Sequence, residues 1–295
     1  MVDTSSEPPL IRRLCVIGVG LIGGSLARAL RRTAAVSEVV GCGRNQQTLE
    51  KALELGVIDC YHTSPVQAVA GADVVLLAVP LGAMRSVMEQ IRSHLAVDAV
   101  VTDAGSAKAC VLADARAAFG QVPRNLVLGH PIAGTERSGV EASFAELFEG
   151  RRVILTPLAE TDRRACELIT RMWSATGADV VEMGVTHHDE VLAATSHLPH
   201  VLAFSLVDTL AQMDDHAEIF RYAAGGFRDF TRIASSDPVM WRDICVANRA
   251  PLLKALDAFD ADLRELAEAV RRGDGETIQT HFERAKTARD NLYRG

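Results

Sequence analysis

No CxxC pair occurs in this chain. Its six cysteines, Cys15, Cys42, Cys60, Cys110, Cys166 and Cys245, are widely scattered. That spacing excludes a zinc site or a disulfide framework and predicts free thiols in a reducing, cytoplasmic setting. A basic excess is also missing: 31 Lys plus Arg stand against 38 Asp plus Glu, a formal net charge of −7. Nucleic-acid surfaces show a basic excess, so no nucleic-acid partner is expected. No apolar run reaches the roughly 20 residues that cross a bilayer, so no membrane partner is expected either. The opening MVDTSSEPPLIRR has its Arg pair after the polar stretch, the wrong order for a signal peptide. Internal repeats and low-complexity segments are lacking. With 48% hydrophobic residues the chain is too apolar for disorder, and 295 residues suit about two domains.

What is present divides near residue 184. Before it, short apolar runs alternate with helical patterns. Runs at 14–17, 38–42, 73–79, 99–102, 125–128, 152–156 and 179–182 read as strands. Helices are expected at 25–32, 46–55 and 162–176. Continuous Val/Ile/Leu runs separated by helices predict βαβ units and a parallel sheet covered on both faces, with the last helix and strand closing the same layer. After 184 the pattern is helical. Thr186 and Asp189 read as a capping box opening a helix to about Met213. Asp237-Pro238 is a second start signal. Leu252, Leu256, Phe259, Leu263, Leu266 and Val270 form a seam at heptad spacing, ended by Gly273, before a last helix at 276–293. The seam suits an internal helical core or a dimer interface equally.

Gly18-Val19-Gly20-Leu21-Ile22-Gly23 fits G-x-G-x-x-G, after a strand and before a helix. Gly18 permits the tight turn, Gly20 lets a pyrophosphate approach the backbone, and Gly23 lets helix and strand pack closely. The phosphates would meet the helix N-terminus. A purely structural turn is the alternative. Val79 and Pro80, closing the third run, are further cofactor-contact candidates. The acid expected at the end of the second strand, on the ribose 2′-OH of NAD, is absent. Gly43 and Arg44 stand there. A guanidinium without a carboxylate leans toward NADP, since Arg grips a phosphate bidentately. The alternative is Arg44 lying over the adenine with NAD still used.

Three polar segments sit where a cofactor's reactive end would lie. Asp103-Ala-Gly-Ser106-Ala-Lys108 follows one strand, with Asp103 read as a cap and Lys108 as a solvated cation at a helix start. His130, in Gly129-His-Pro-Ile-Ala-Gly-Thr-Glu136, follows another. The C-terminal ends of parallel strands bind ligands, and a His near neutral pKa suits taking a hydroxyl proton. In Ser196-His197-Leu-Pro199-His200 two imidazoles share a helix face, and Pro199 predicts a kink. Nothing carboxylate-rich accompanies the pair, so no metal is expected. Arg232 follows Gly225-Gly226 in a polar stretch, as a carboxylate anchor or a surface ion-pair partner, and Trp241 reads as core or pocket.

In this order, GVGLIGGS (18–25), DAGSAK (103–108), GHPIAGTE (129–136), SHLPH (196–200) and GGFRDFTRIASSDPVMW (225–241) resemble the prephenate/arogenate (cyclohexadienyl) dehydrogenase family over nearly the whole chain. The resemblance implies an α/β fold: an N-terminal Rossmann-type parallel-sheet domain at 1–184, then an all-helical substrate and dimerisation domain at 185–295. It implies oxidative decarboxylation of prephenate or arogenate by NAD(P) and a homodimer. His130 matches the catalytic base and Ser106 the residue that orients it. Arg232 matches the anchor for the ring carboxylate and His200 a side-chain recognition position, with His197 supporting the helix. Glu136 matches a position near the entrance, and Trp241 a pocket wall. Two other classes compete. Another two-domain reductase of the β-hydroxyacid dehydrogenase or imine reductase type would not require GHPIAGTE, SHLPH or Arg232. A non-catalytic NAD(P)-binding sensor predicts gaps at His130, Ser106 or Arg232, and there are none.

Overall fold

The computed structural model describes residues 8–292. The N-terminal residues 1–7 and Tyr293, the expected end of the last helix, lie outside the described residues. By packing, the chain divides into two compact units, Met1–Asn248 and Arg249–Gly295. The helices between 185 and 247 therefore pack as part of the first unit.

The first unit is built on a six-stranded sheet. β1 (Ile11–Ile17), β2 (Val36–Cys42), β3 (Cys60–His62), β4 (Val74–Leu77), β5 (Val100–Asp103) and β6 (Leu126–Val127) lie in the order β3-β2-β1-β4-β5-β6. Every neighbouring pair is parallel. This is the α/β, Rossmann-type sheet that the alternation of runs predicts. Alternate residues of β1 face opposite layers, as a period of two requires. Leu14 and Val16 join one buried core, while Cys15 and Ile17 join the other. Helices α1 (Leu21–Arg32), α2 (Gln46–Glu54), α3 (Pro65–Ala68), α4 (Met84–Ile91) and α5 (Lys108–Phe119) connect the strands. β3 was not foreseen because Cys-Tyr-His has no branched apolar run.

The register sets the site. Ile17 pairs with both Cys42 and Leu77, and Leu77 pairs with Asp103. The C-terminal ends of β1, β2, β4 and β5 thus lie level, at the point where strand order reverses, which is where such sheets bind ligands.

The later strands correct one expectation. They do not extend the first sheet. β7 (Gly129–Pro131), β8 (Arg152–Leu155) and β9 (Asp179–Glu182) form a separate sheet, with β7 antiparallel to β8 and β8 parallel to β9. The chain changes sheets at Leu128, between β6 and β7. A Gly-His-Pro strand carries no propensity signal that would have shown it. Helix α6 (Arg163–Ser174) packs on this side, with Trp173 wholly buried in the first core.

A 27-residue helical run spans Val185–Ala211. It comprises α7 (Val185–Leu192), a π turn at Ala193–His197 and α8 (Leu198–Ala211). The π turn comes just before Pro199 and takes up the disturbance expected from it. Contrary to the expectation that no apolar stretch is long enough, this run could cross a membrane by length and composition alone. It also carries His188, Asp189 and His197, all buried in the first unit. Short helices α9 (His216–Arg221) and α10 (Gly225–Thr231) and the ten-residue α11 (Pro238–Ala247) complete the unit. Asp237 caps α11 by accepting from the Val239 and Met240 N–H groups, as the Asp-Pro start signal predicts.

The second unit is a helical pair, α12 (Arg249–Arg272) and α13 (Gly275–Asn291), joined at Gly273. The heptad seam lies on α12. Leu252 is buried, but Leu263 is 50% and Val270 62% exposed.

Candidate active site

The glycine turn is held by close backbone contacts. Gly18 has φ +103°, and a Cβ there would lie 2.2 Å from the Ala78 carbonyl oxygen. At Gly23 a Cβ would meet the Gly18 carbonyl oxygen at 2.4 Å and Val16 Cγ1 at 2.7 Å. Gly20, the N-cap of α1, is different: a Cβ there would meet nothing within 4 Å. Its backbone borders a cleft of about 630 Å³. No side chain caps α1 and no acid stands in its first turn, so its N–H groups and positive dipole end are available to a phosphate. The residues present therefore fit a dinucleotide.

The same cleft is lined by Leu21, Ile22 and Gly23, by Val79 and Pro80 after β4, by Ser106 after β5, and by His130 on β7. Glu136, His200, Arg232 and Trp241 complete it from the loop and the helices. The strand-end residues and the helical-half residues predicted separately thus border one space. Three predicted residues do not line it. Gly18 opens the turn, its N–H donating to the Cys42 carbonyl at 2.8 Å. Arg44 is exposed beyond the end of β2. His197 is buried, with its ring edge-on to Trp241 at 6.1 Å and its Nδ1 3.0 Å from Asn248 Nδ2.

His130 is 9% exposed. Burial, then the charge of Lys108 and the neighbouring His188 and His197, hold its pKa well below the ordinary imidazole value. It is therefore neutral at pH 7. Its Nδ1 lies 2.9 Å from His188 Nε2, which leaves Nε2 for the cleft. His200 stacks on Trp241 with ring centroids 3.6 Å apart, and its Nδ1 donates to the Ser196 carbonyl at 2.9 Å. Burial and the Arg232 charge lower the His200 pKa against that hydrogen bond. Burial likewise brings His197 down to about 4. Arg232 approaches Glu136 at 3.6 Å, but both side chains are at least half exposed. Such a pair contributes little and leaves the guanidinium free to take an anion.

Two readings of single residues are corrected. Lys108 is not solvated: its side chain is wholly buried, and its Nζ donates to Asp103 and, at 2.6 Å, to the Gly129 carbonyl. Asp103 accepts in addition from the Gly105 and Gly129 N–H groups. The pair ties the end of β5 to the strand that carries His130. Nor is Asp189 a local cap. Gly184 is the N-cap of α7. Asp189 accepts instead from the Lys108 and Ala109 N–H groups at 2.8 and 2.9 Å, capping α5 from another helix. His188, Asp189 and Asn248 were missed as site-supporting residues. A signal was available: α5 begins after Ala107, which cannot cap it.

Residues 26–182 match the family model of the prephenate dehydrogenase nucleotide-binding domain, and residues 185–284 that of the prephenate dehydrogenase dimerization domain. Cyclohexadienyl dehydrogenase of Zymomonas mobilis is 38% identical over 283 residues, covering 95% of this chain and 96% of that protein. Prephenate dehydrogenase of Bacillus subtilis is 36% identical, over 95% of this chain and 76% of that protein. The crystal structure of prephenate dehydrogenase from Aquifex aeolicus, in complex with hydroxyphenyl propionate and NAD+, aligns with a TM-score of 0.88 at 39% identity, covering 95% of this chain and 98% of that one. Matching both domain models and these relatives, the chain belongs to the prephenate dehydrogenase family and is an NAD(P)-dependent dehydrogenase.

Proposed function

We propose that the cleft oxidises prephenate or arogenate with loss of CO2, giving 4-hydroxyphenylpyruvate or tyrosine. The observation that carries this reading is a buried, neutral His130 on the same cleft as the open α1 N-terminus and the Arg232 guanidinium. The nicotinamide of a bound NAD(P)+ would accept hydride from ring C4 of the substrate. His130 Nε2 takes the C4 hydroxyl proton as the carbonyl forms. Ser106, on the loop after β5, orients that hydroxyl. Arg232 holds the C1 carboxylate, and Trp241, stacked on His200, walls the ring. The dienone formed at C4 draws the electron pair of the C1–carboxylate bond through the ring onto its oxygen as CO2 leaves, that oxygen takes the proton back from His130, and aromatisation makes the step irreversible. His200 faces the substrate side chain, His197 supports the kinked helix with its ring edge-on to Trp241, and Glu136 stands at the entrance beside Arg232. Residues 1–184 would serve the cofactor, and 185–295 the substrate and the dimer.

The test is an initial-rate assay of prephenate and arogenate, each with NAD+ and NADP+. Turnover of one or both substrates is expected; none in any of the four combinations overturns the reaction. For the cofactor we infer a preference for NADP, on Gly43-Arg44 in place of an acid and on an exposed Arg44 with no carboxylate partner among the described residues. Losing a charge-assisted hydrogen bond costs about 1.5–3 kcal/mol. Arg44→Ala should then lower the NADP:NAD ratio of kcat/KM by about 10–100-fold; an unmoved ratio removes Arg44 from 2′-phosphate recognition.

A homodimer through the helical part accompanies this reading. α8 is apolar around its circumference, yet only Ala203 in it is buried. Val246 is 70%, Val270 62% and Phe282 57% exposed. Surfaces of this kind need a partner, and a second copy of the chain supplies one. A cytoplasmic setting rests on the six unpaired cysteines.

A further inference from the structure

We propose that His188 and Asp189 are positioning residues that fix the ring tautomer of His130, so that an unprotonated Nε2 meets the substrate hydroxyl. This rests on reading His130 as the base. Neither residue lines the cleft, and both side chains are buried, at 0% and 4% exposure.

Asp189 Oδ1 accepts from the Lys108 N–H and lies 2.8 Å from His188 Nδ1, while Oδ2 accepts from the Ala109 N–H. Burial pushes this carboxyl up. The His188 contact and the two N–H groups outweigh it and hold Asp189 below its ordinary value, so the group is ionised and has no proton to give. His188 Nδ1 must therefore be the donor. A His188 ring whose one proton is on Nδ1 accepts at Nε2. His130 Nδ1, 2.9 Å away, is then the donor, and His130 Nε2 carries the lone pair.

The anchor is rigid. The carboxylate is pinned on the first turn of the twelve-residue α5, and Asn248 Nδ2 donates to the Asp189 backbone carbonyl at 2.8 Å. When Nε2 takes the hydroxyl proton, Nδ1–H stays in place and the imidazolium points through His188 toward the carboxylate. That support is needed because the Lys108 ammonium, bonded to the carbonyl of the residue before His130, opposes a second positive charge.

The test reads the tautomer directly. Long-range 1H–15N spectra would be recorded on the full chain with 15N-histidine, without substrate, and His130 assigned by the loss of its signals in His130→Asn. In the wild-type chain the proton is expected on Nδ1. In Asp189→Asn the amide donates to His188 Nδ1, both rings flip, and His130 shows its proton on Nε2. kcat should fall by about 100-fold or more with KM within about 3-fold, the pattern of a wrong tautomer in a catalytic triad. In His188→Gln the side-chain carbonyl still accepts from His130 Nδ1–H, so the tautomer stays and kcat remains within about 10-fold of wild type. A wild-type His130 protonated on Nε2 overturns the proposal, even if Asp189→Asn does not fold. So does an Asp189→Asn chain with unchanged tautomer and kcat. The spectra need no substrate, so the expected tautomers without turnover of prephenate or arogenate would refute the reaction and leave this inference standing.

Discussion

His130→Asn should turn over about 10²–10⁴-fold more slowly than the wild-type enzyme, the range contributed by a positioned general base. Binding should change little. The asparagine amide still donates toward His188 Nε2 and still offers a polar contact to the substrate hydroxyl, but it has no nitrogen able to take the proton. The expected result is a collapse of kcat with near-normal KM and an unchanged dissociation constant for the dinucleotide. A kcat within a few-fold of wild type would remove His130 from the base role. The pH profile gives a second check. The base works only when unprotonated, and burial, reinforced by Lys108, His188 and His197, lowers its pKa. The acid limb of kcat/KM should therefore fall below the ordinary imidazole value of about 6.5. A limb above that value would mean that the titrating group is another one, or that the site is wetter than its 9% exposure implies.

Much of this site can be read from the sequence, and what cannot has a physical reason. The glycine turn, the strands around it and the polar residues that follow strands are local patterns; Gly20 and Ser106 come to one cleft because β1, β4 and β5 end level, and His130 reaches it from β7, where the chain leaves β6 for the second sheet. The second sheet was hidden because β7 is Gly-His-Pro, a tripeptide without strand propensity. Asp189 and Lys108 were misread for a related reason. Thr186 and Asp189 have the spacing of a capping box, but the carboxylate is used 81 residues away, on the Lys108 N–H. Lys108 looked solvated because most lysines are. Yet a cation in the first turn of a helix sits at the unfavourable end of the dipole, and that position could have marked it as a paired, buried charge.

The Lys108–Asp103 pair should show the largest effect on stability. Both side chains are fully buried, and breaking such a pair leaves one charge uncompensated, at a cost of about 3–5 kcal/mol. Lys108→Met should lose that much in urea unfolding, and Asp103→Asn a similar amount, since an isolated ammonium is no cheaper than an isolated carboxylate. Removing both charges together avoids the uncompensated state. The double variant Asp103→Asn/Lys108→Met should therefore lose clearly less than the sum of the two single losses, a coupling that a double-mutant cycle measures. Strictly additive losses would mean that the two residues act independently and that the contact is incidental. Activity adds a signed consequence. The Lys108 charge is the second cause, after burial, of the low His130 pKa. Removing it makes the imidazolium easier to form, so the acid limb of kcat/KM should move to higher pH in Lys108→Met. It should move likewise in the double variant, where the fold is less disturbed. A limb that stays put in both would separate this ion pair from the chemistry and leave it the structural task of holding β7 against β5.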